Sequence, residues 1–280
     1  MNENNFNTFI DFGSSKIRLG LYDKDTSKNI FIQEKDCISN FSLSNFDIEN
    51  SNNIIKDLIK SAEKKINNHI KDINLMIDTP DMFSIDISIK KNSDIRANIK
   101  NNINVLLNEA KSLVQKNYFN KKIIHTIVKK FIIDDEEFFE VPSEKIKYNS
   151  LIIELKFICF ADQVWKYLQE SFSENYLNIN NLYCSSYVRS SSYNSLFNDF
   201  KKKVILDIGY GKSSITVFKD NRVLYFNILP VGGRHITKDI SILLKINQSE
   251  AEDLKKSLNQ SETIFKNNID KETKTLDLSN

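Results

Sequence analysis

The sequence predicts an α/β protein organised around two strand–turn–strand units of one design. Three observations carry that prediction. An apolar run leading into Asp-x-Gly and small hydroxyl residues, then a second apolar run, occurs once at the N-terminus and again at residues 204–218. Runs alternating at period two are interleaved with stretches whose apolar residues recur at helical spacing. All six glycines of the 280-residue chain fall in or near the two Asp-x-Gly stretches: Gly13 and Gly20 at the first, Gly209, Gly211, Gly232 and Gly233 at the second.

Composition excludes several classes. Hydrophobic residues make up 40% and charged residues 27%, as in ordinary soluble globular proteins. The 39 basic and 37 acidic residues are interspersed, which leaves no electrostatic footprint for nucleic acid. Cys37, Cys159 and Cys184 are scattered among apolar or small neighbours, so reduced thiols in a cytoplasmic protein are expected. His69, His125 and His235 are equally isolated, against a metal cluster. No apolar run approaches the roughly 20 residues that span a bilayer, and the first residues lack a secretory pattern.

The elements follow in order. Residues 8–11 form a short strand that stops at Gly13-Ser14-Ser15; 16–22 alternate as a second strand, and 30–33 form a third. Residues 51–70 place Ile55, Leu58, Ile59, Ala62, Ile66 and Ile70 on one helical face. Strands follow at 73–77, running to Thr79-Pro80, and at 82–89. From about Lys91 the chain becomes more polar, with a helix stripe from Ile103 to Val114, strands at 122–133 and 151–160 joined through an acidic loop at 134–140, and a helix N-capped by Asp162. That block reads as a small inserted unit. Residues 182–197 give a strand and a Ser-rich helix, and 204–206, 215–218 and 223–229 are strands. Ile236, Ile240, Leu243 and Leu244 share one helical face, and Ser249-Glu250-Ala251-Glu252 has capping-box spacing for a helix through Leu258. Beyond Gln260 the pattern is weak.

The chemistry lies in the turns Asp11-Phe12-Gly13-Ser14-Ser15 and Asp207-Ile208-Gly209-Tyr210-Gly211-Lys212-Ser213-Ser214. Glycine allows close backbone approach, and the N–H groups of such turns, with serine hydroxyls, suit an anion. An Asp beside a phosphate requires a Mg²⁺ with its waters between them. Two such hairpins are suited to clamp a Mg–nucleotide phosphate chain. Gly211-Lys212-Ser213 is not a P-loop tail, because Leu206 stands where the earlier glycine belongs and a strand follows. Gly209-x-Gly211 is not a dinucleotide fingerprint, because Ser214 takes the third position. Either turn alone reads equally as an ordinary glycine hairpin or a phosphate turn; the pairing points to phosphate. Glu252 and Lys255 share a helical face and either bind ribose and base or form a solvated surface. Lys16 either reaches phosphate or decorates an exposed strand.

These residues resemble the FtsA family, the bacterial actin-like cell-division ATPases of the actin/Hsp70/sugar-kinase superfamily. Asp11-Phe12-Gly13-Ser14 looks like the family's phosphate-1 motif and Asp207-Ile208-Gly209-Tyr210-Gly211 like phosphate-2; Leu229-Pro230-Val231-Gly232-Gly233 and Ala251-Glu252-x-x-Lys255 are similar to the strand–turn–helix and nucleotide-proximal helix that follow. The resemblance implies an actin-like (ribonuclease H-like) two-lobed fold: subdomain 1A at 1–90 and 178–203, an inserted α+β subdomain 1C at 91–177, subdomain 2A at 204–258, and an incomplete 2B at 259–280. It assigns Asp11 and Asp207 to Mg²⁺. Gly13, Ser14, Ser15, Lys16, Gly209, Tyr210, Gly211, Lys212, Ser213, Gly232 and Gly233 go to the nucleotide's phosphates and their surroundings, and Glu252 and Lys255 to ribose and base.

ATP and Mg²⁺ are the implied cofactors, with weak hydrolysis at most and no general base that the sequence names. Implied partners are FtsZ, further copies of the chain in a filament, and other divisome proteins through subdomain 1C. The implied location is the inner face of the cell membrane at the division septum. Departures are Tyr210 and Ser213-Ser214, where the family has glycine and threonine, and Cys184-Ser185-Ser186, which lacks a glycine often found there. The chain stops short of the adenosine glycine motif, much of 2B and the C-terminal amphipathic membrane helix. It reads as a fragment or a shortened homologue with weak nucleotide affinity and no membrane helix of its own. A PilM-like pilus-assembly scaffold, a small-molecule kinase of the same superfamily and a degenerate scaffold without nucleotide are the competing readings.

Overall fold

Strands β1 (Phe6–Phe12), β2 (Lys16–Asp23) and β3 (Asn29–Asp36) form the expected antiparallel meander. The computed structural model describes residues 5–37, 48–79, 81–92, 98–143, 146–197, 199–257, 262–266 and 273–277. Alternation puts Thr8, Ile10 and Phe12 of β1 and Ile17, Leu19 and Leu21 of β2 inside. Helix α1 (Ile48–Ile66) lays Ile55, Leu58, Ile59 and Ala62 into the same core. It ends before the predicted Ile70 because Asn67 takes a left-handed φ of 51°, although Ile70 itself stays buried. Strand β4 (Asp72–Ile77) then adds parallel to β1. Pro80, at the predicted end of that segment, lies outside the described residues.

The chain leaves this sheet for β5 (Phe83–Asn92), α2 (Ile99–Asn117), β6 (Lys121–Ile133), β7 (Glu136–Phe138) and β8 (Ser150–Ala161). It returns through α3 (Asp162–Glu174) to β9 (Asn178–Cys184), parallel to β4, followed by α4 (Ser185–Leu196). The five-stranded sheet runs β3-β2-β1-β4-β9, and the inserted sheet runs β5-β8-β6-β7. Strand β8 serves two cores by alternation. Ile153, Leu155, Phe157 and Cys159 meet Ile103, Leu106, Ala110 and Val114 of α2. Ile158 and Phe160 join the core of the five-stranded sheet.

Of the predicted edges of the insert, 91 falls inside β5 and 177 falls between α3 and β9. Strand β5 pairs along its whole length with β8, so the inserted sheet begins at Phe83. Helix α3 puts Leu168 and Phe172 into the core of the five-stranded sheet and so belongs with that sheet. The polarity change at Lys91 falls at the end of β5. Two local readings also shift. Asp162 is the first helical residue and Ala161 the cap, and part of the acidic loop forms β7, turning at Asp134 and Asp135 with φ of 45° and 71°.

Strands β10 (Lys202–Ile208), β11 (Ser213–Lys219) and β12 (Arg222–Leu229) form a three-stranded sheet in sequence order. Thr216, Phe218, Phe226 and Ile228 are buried, while Val204, Leu206 and Ile208 lie exposed. Helices α5 (Gly233–Leu244) and α6 (Gln248–Ser257) and the antiparallel pair β13 (Glu262–Lys266) and β14 (Thr273–Asp277) complete the order. The cap of α6 is reciprocal but two residues earlier than predicted: Glu250 N–H donates to Asn247 Oδ1 at 2.8 Å and Asn247 N–H to Glu250 Oε2 at 3.3 Å. Leu258 lies outside the described residues.

The chain divides into two units. The first comprises Met1–Asp207 and Ser214–Ile228, the second Ile208–Ser213 and Leu229–Asn280. The three cysteines are buried and form no disulfide, and no described helix is long and apolar enough to cross a membrane.

Candidate functional site

In the first unit, three aspartates stand at or just beyond strand C-termini: Asp11 in β1, Asp78 after β4 and Asp207 in β10. The N-terminal half of α4 engages all three. Ser185 Oγ donates to Asp11 Oδ1 at 2.9 Å. Ser186 donates its N–H to both oxygens of Asp78, at 3.0 and 3.2 Å, and its hydroxyl to Oδ2 at 2.6 Å. Arg189 Nη2 lies 3.3 Å from Asp207 and 3.8 Å from Asp78. Positions 185, 186 and 189 lie along the first turns of the helix, so one short element orients carboxylates from three strands. Asp78 is fully buried, and its charge meets the N–H groups and positive end of the helix dipole.

The turn after Asp11 is tight without a left-handed residue. Gly13 N–H donates to Lys16 O at 3.0 Å, and a Cβ on Gly13 would lie 2.7 Å from that same oxygen. Ser14 is buried, and Ser15 O accepts the Cys37 N–H at 2.8 Å. Asp11 also meets Arg18, its cross-strand partner, at 3.4 Å. Lys16 is engaged by Glu34, with Asp36 at 3.9 Å, so its ammonium is directed along β3.

In the second unit, the turn Gly209–Lys212 closes with Gly209 N–H donating to Lys212 O at 2.8 Å. It docks on the start of α5: Gly233 N–H donates to Gly209 O at 2.9 Å and Arg234 N–H to Tyr210 O at 2.8 Å. Ser213 Oγ donates to Val231 O at 2.7 Å. Gly232 is pressed into the turn, since a Cβ there would lie 2.6 Å from Gly209 O and from Lys212 N. His235 Nδ1 accepts the Gly232 N–H at 3.1 Å. The first N–H groups of α5 thus hold the turn in shape.

Glu252 and Lys255 converge on the same place. Lys255 Nζ donates to Glu252 Oε2 at 2.6 Å, Thr237 Oγ1 at 2.9 Å and Gly233 O at 3.2 Å, and sits 5.7 Å from the Tyr210 ring centroid. Thr237 Oγ1 also donates to Glu252 at 2.5 Å. Burial raises the Glu252 pKa, but the Lys255 and Thr237 hydrogen bonds outweigh it and leave it lowered. The solvated-surface alternative for this pair therefore does not describe it.

The second unit brings together Gly209, Tyr210, Gly232, Gly233 and Lys255 by direct contact, with Glu252 joined through Lys255 and Thr237. Lys212 is buried beside them in sequence. Sequence reasoning passed over Asp78, Ser185, Ser186 and Arg189. A signal was available for Asp78: like Asp11 and Asp207, it follows an apolar strand run directly. Nothing comparable marks Arg189, whose role depends on where α4 packs.

Among known proteins, residues 204–279 match the family model described as "Cell division protein FtsA". The Cell division protein FtsA of Bacillus subtilis (strain 168) is 44% identical over 54 residues, which is 19% of this chain and 12% of that relative's length. Among solved structures, the PilM–PilN type IV pilus biogenesis complex matches at a TM-score of 0.67 and 12% identity, covering 90% of this chain and 69% of that one. Ethanolamine utilization protein EutJ from Carboxydothermus hydrogenoformans matches at 0.51 and 12% identity, covering 93% and 64%. At such identities these structures show the fold, which is that of the actin-like ATPases. Over residues 204–279 the chain is similar in sequence to the FtsA family, and over its described length it has the fold of the actin-like ATPases.

Proposed function

We propose that the protein is a nucleotide-switched cell-division component that binds Mg-ATP, associates with FtsZ filaments and assembles with further copies of itself at the membrane-facing division site. The observation that carries this reading is where the FtsA match falls. It begins at Val204 and takes in Asp207, the 209–213 turn, α5 and α6, the parts whose chemistry suits a nucleotide.

The residues fit the implied cofactor. Asp11 and Asp207 are about one-fifth to one-quarter exposed, at 19% and 24%, and each is met by an arginine at 3.3–3.4 Å. Among the described residues, no group of three or more His, Cys, Asp and Glu side chains could chelate an ion directly. A Mg²⁺ held through its waters and the nucleotide's phosphates needs no such group. When bound, Mg-ATP supplies a γ-phosphate whose presence or loss can bias a switch. The chain's own part is to orient. Ser185 and Arg189 orient the two carboxylates, and we assign the Gly13–Ser15 and Gly209–Ser213 turns to the phosphates and Lys255 with Glu252, beside Gly233, to the ribose and base. A PilM-like pilus role has a fold likeness behind it, at 12% identity.

Pelleting with FtsZ filaments tests the cellular reading. The chain should sediment with FtsZ polymer and remain in the supernatant without it, and Mg-ATP should change the bound fraction. Equal recovery with and without FtsZ polymer contradicts it.

A further inference from the structure

The inserted sheet meets the start of α4 through His125. In β6 the pairing with β8 slips by one residue between Ile123 and His125, a bulge of the kind that re-aims a side chain. Ile124 packs toward the core of the five-stranded sheet. His125 Nε2 accepts the Cys184 N–H at 2.9 Å, and its ring lies 4.8 Å from that of Tyr187 and 6.1 Å from that of Tyr183, by centroids.

Cys184 is the N-cap residue of α4 and makes no side-chain cap of its own. A helix N-terminus needs outside acceptors for its first N–H groups. Here Asp78 takes the Ser186 N–H and His125 takes that of Cys184, while Cys184 Sγ donates to Asp78 Oδ1 at 3.2 Å. The residues that follow at once, Ser185, Ser186 and Arg189, are the ones that hold Asp11, Asp78 and Asp207.

We propose that His125 is a positioning residue through which the inserted sheet sets the N-terminus of α4 and hence the aim of the Asp11 and Asp207 carboxylates. The second half of that statement rests on the Mg-nucleotide reading above; the first half does not. Displacement of the inserted sheet would act on the site through this side chain.

Two variants separate the acceptor from the bulk: His125→Gln keeps an acceptor, and His125→Phe keeps a ring without one. Amide hydrogen exchange over 182–190 and Mg-ATP titration are measured on both and on the parent chain. His125→Phe should speed exchange at 184–186 by about tenfold, the scale of one net hydrogen bond, with exchange in α2 unchanged. It should also weaken Mg-ATP binding by a similar factor, and His125→Gln should restore both. Exchange at 184–186 that does not respond, or that rises equally in α2, overturns the positioning role. If the parent chain binds Mg-ATP and His125→Phe binds it equally well, the link to the site is overturned. Should the parent chain bind no Mg-ATP while exchange at 184–186 responds, the nucleotide reading fails and the positioning of α4 stands.

Discussion

A single methyl group separates Gly232 from alanine, and there is no room for it. The Cβ would lie 2.6 Å from both Gly209 O and Lys212 N, so Gly232→Ala must push the turn away from α5. Overpacking of this kind costs about 1–3 kcal/mol, to be read as a lower urea midpoint. Gly20→Ala should cost less, because its Cβ would meet the ring edge of Tyr22, a side chain that can turn, at 2.8 Å. The glycines were legible in the sequence as marks of special backbone. Their reason was not: no described glycine has a positive φ, and the need at Gly13 and Gly232 is close packing of chain on chain. His125 gives a second test at this scale. Burial holds its pKa down to about 4 from 6.5, with the Asp78 charge opposing only in part. The unfolded chain therefore binds the extra proton first as pH falls. Stability from the neutral ring is complete above about pH 6.5 and is lost between there and about pH 4, by roughly 3 kcal/mol. Urea unfolding across that range should show the slope, and His125→Gln should remove it.

At the scale of elements, α4 has little hydrophobic stripe to hold it, and its buried residues include Ser185, Ser186, Ser190 and Asn194. What fixes it is polar: Asp78 at its start, and Thr216 Oγ1 donating to Ser190 Oγ at 2.9 Å on its buried face. Asp78→Ala would strand the Ser186 N–H and hydroxyl, at a cost of about 2 kcal/mol or more, measurable by thermal or urea unfolding. Helix α2 is the opposite case. Its stripe was plain in the sequence, and Leu106, fully buried in the core of the inserted sheet, should cost about 2–5 kcal/mol as Leu106→Ala. Periodicity made α1, α2 and the N-terminal meander legible. It did not separate β5 from the five-stranded sheet, since an alternating strand fits either sheet and only pairing partners decide. The cap of α6 slipped by two residues because Ser249 and Asn247 offer equivalent spacings to Glu252 and Glu250. Glu252 is held by Thr237 and Lys255, which local sequence does not reveal.

For the whole molecule, the actin-like fold was legible because the same Asp-x-Gly turn occurs twice with an insert between. The aspartates' orientation was not, since it depends on α4, which lies far from Asp11 in sequence and meets Asp11 and Asp207 only through the fold. The FtsA match covers residues 204–279 and so bears on the second turn and its helices. Asp11 enters through its contact with Ser185. Calorimetric titration of this chain with Mg-ATP, beside Asp207→Ala, tests the central claim most directly. Saturable binding that requires Mg²⁺ and weakens at least tenfold in Asp207→Ala is the expected result. No binding by a folded chain, or binding that Asp207→Ala leaves unchanged, contradicts it.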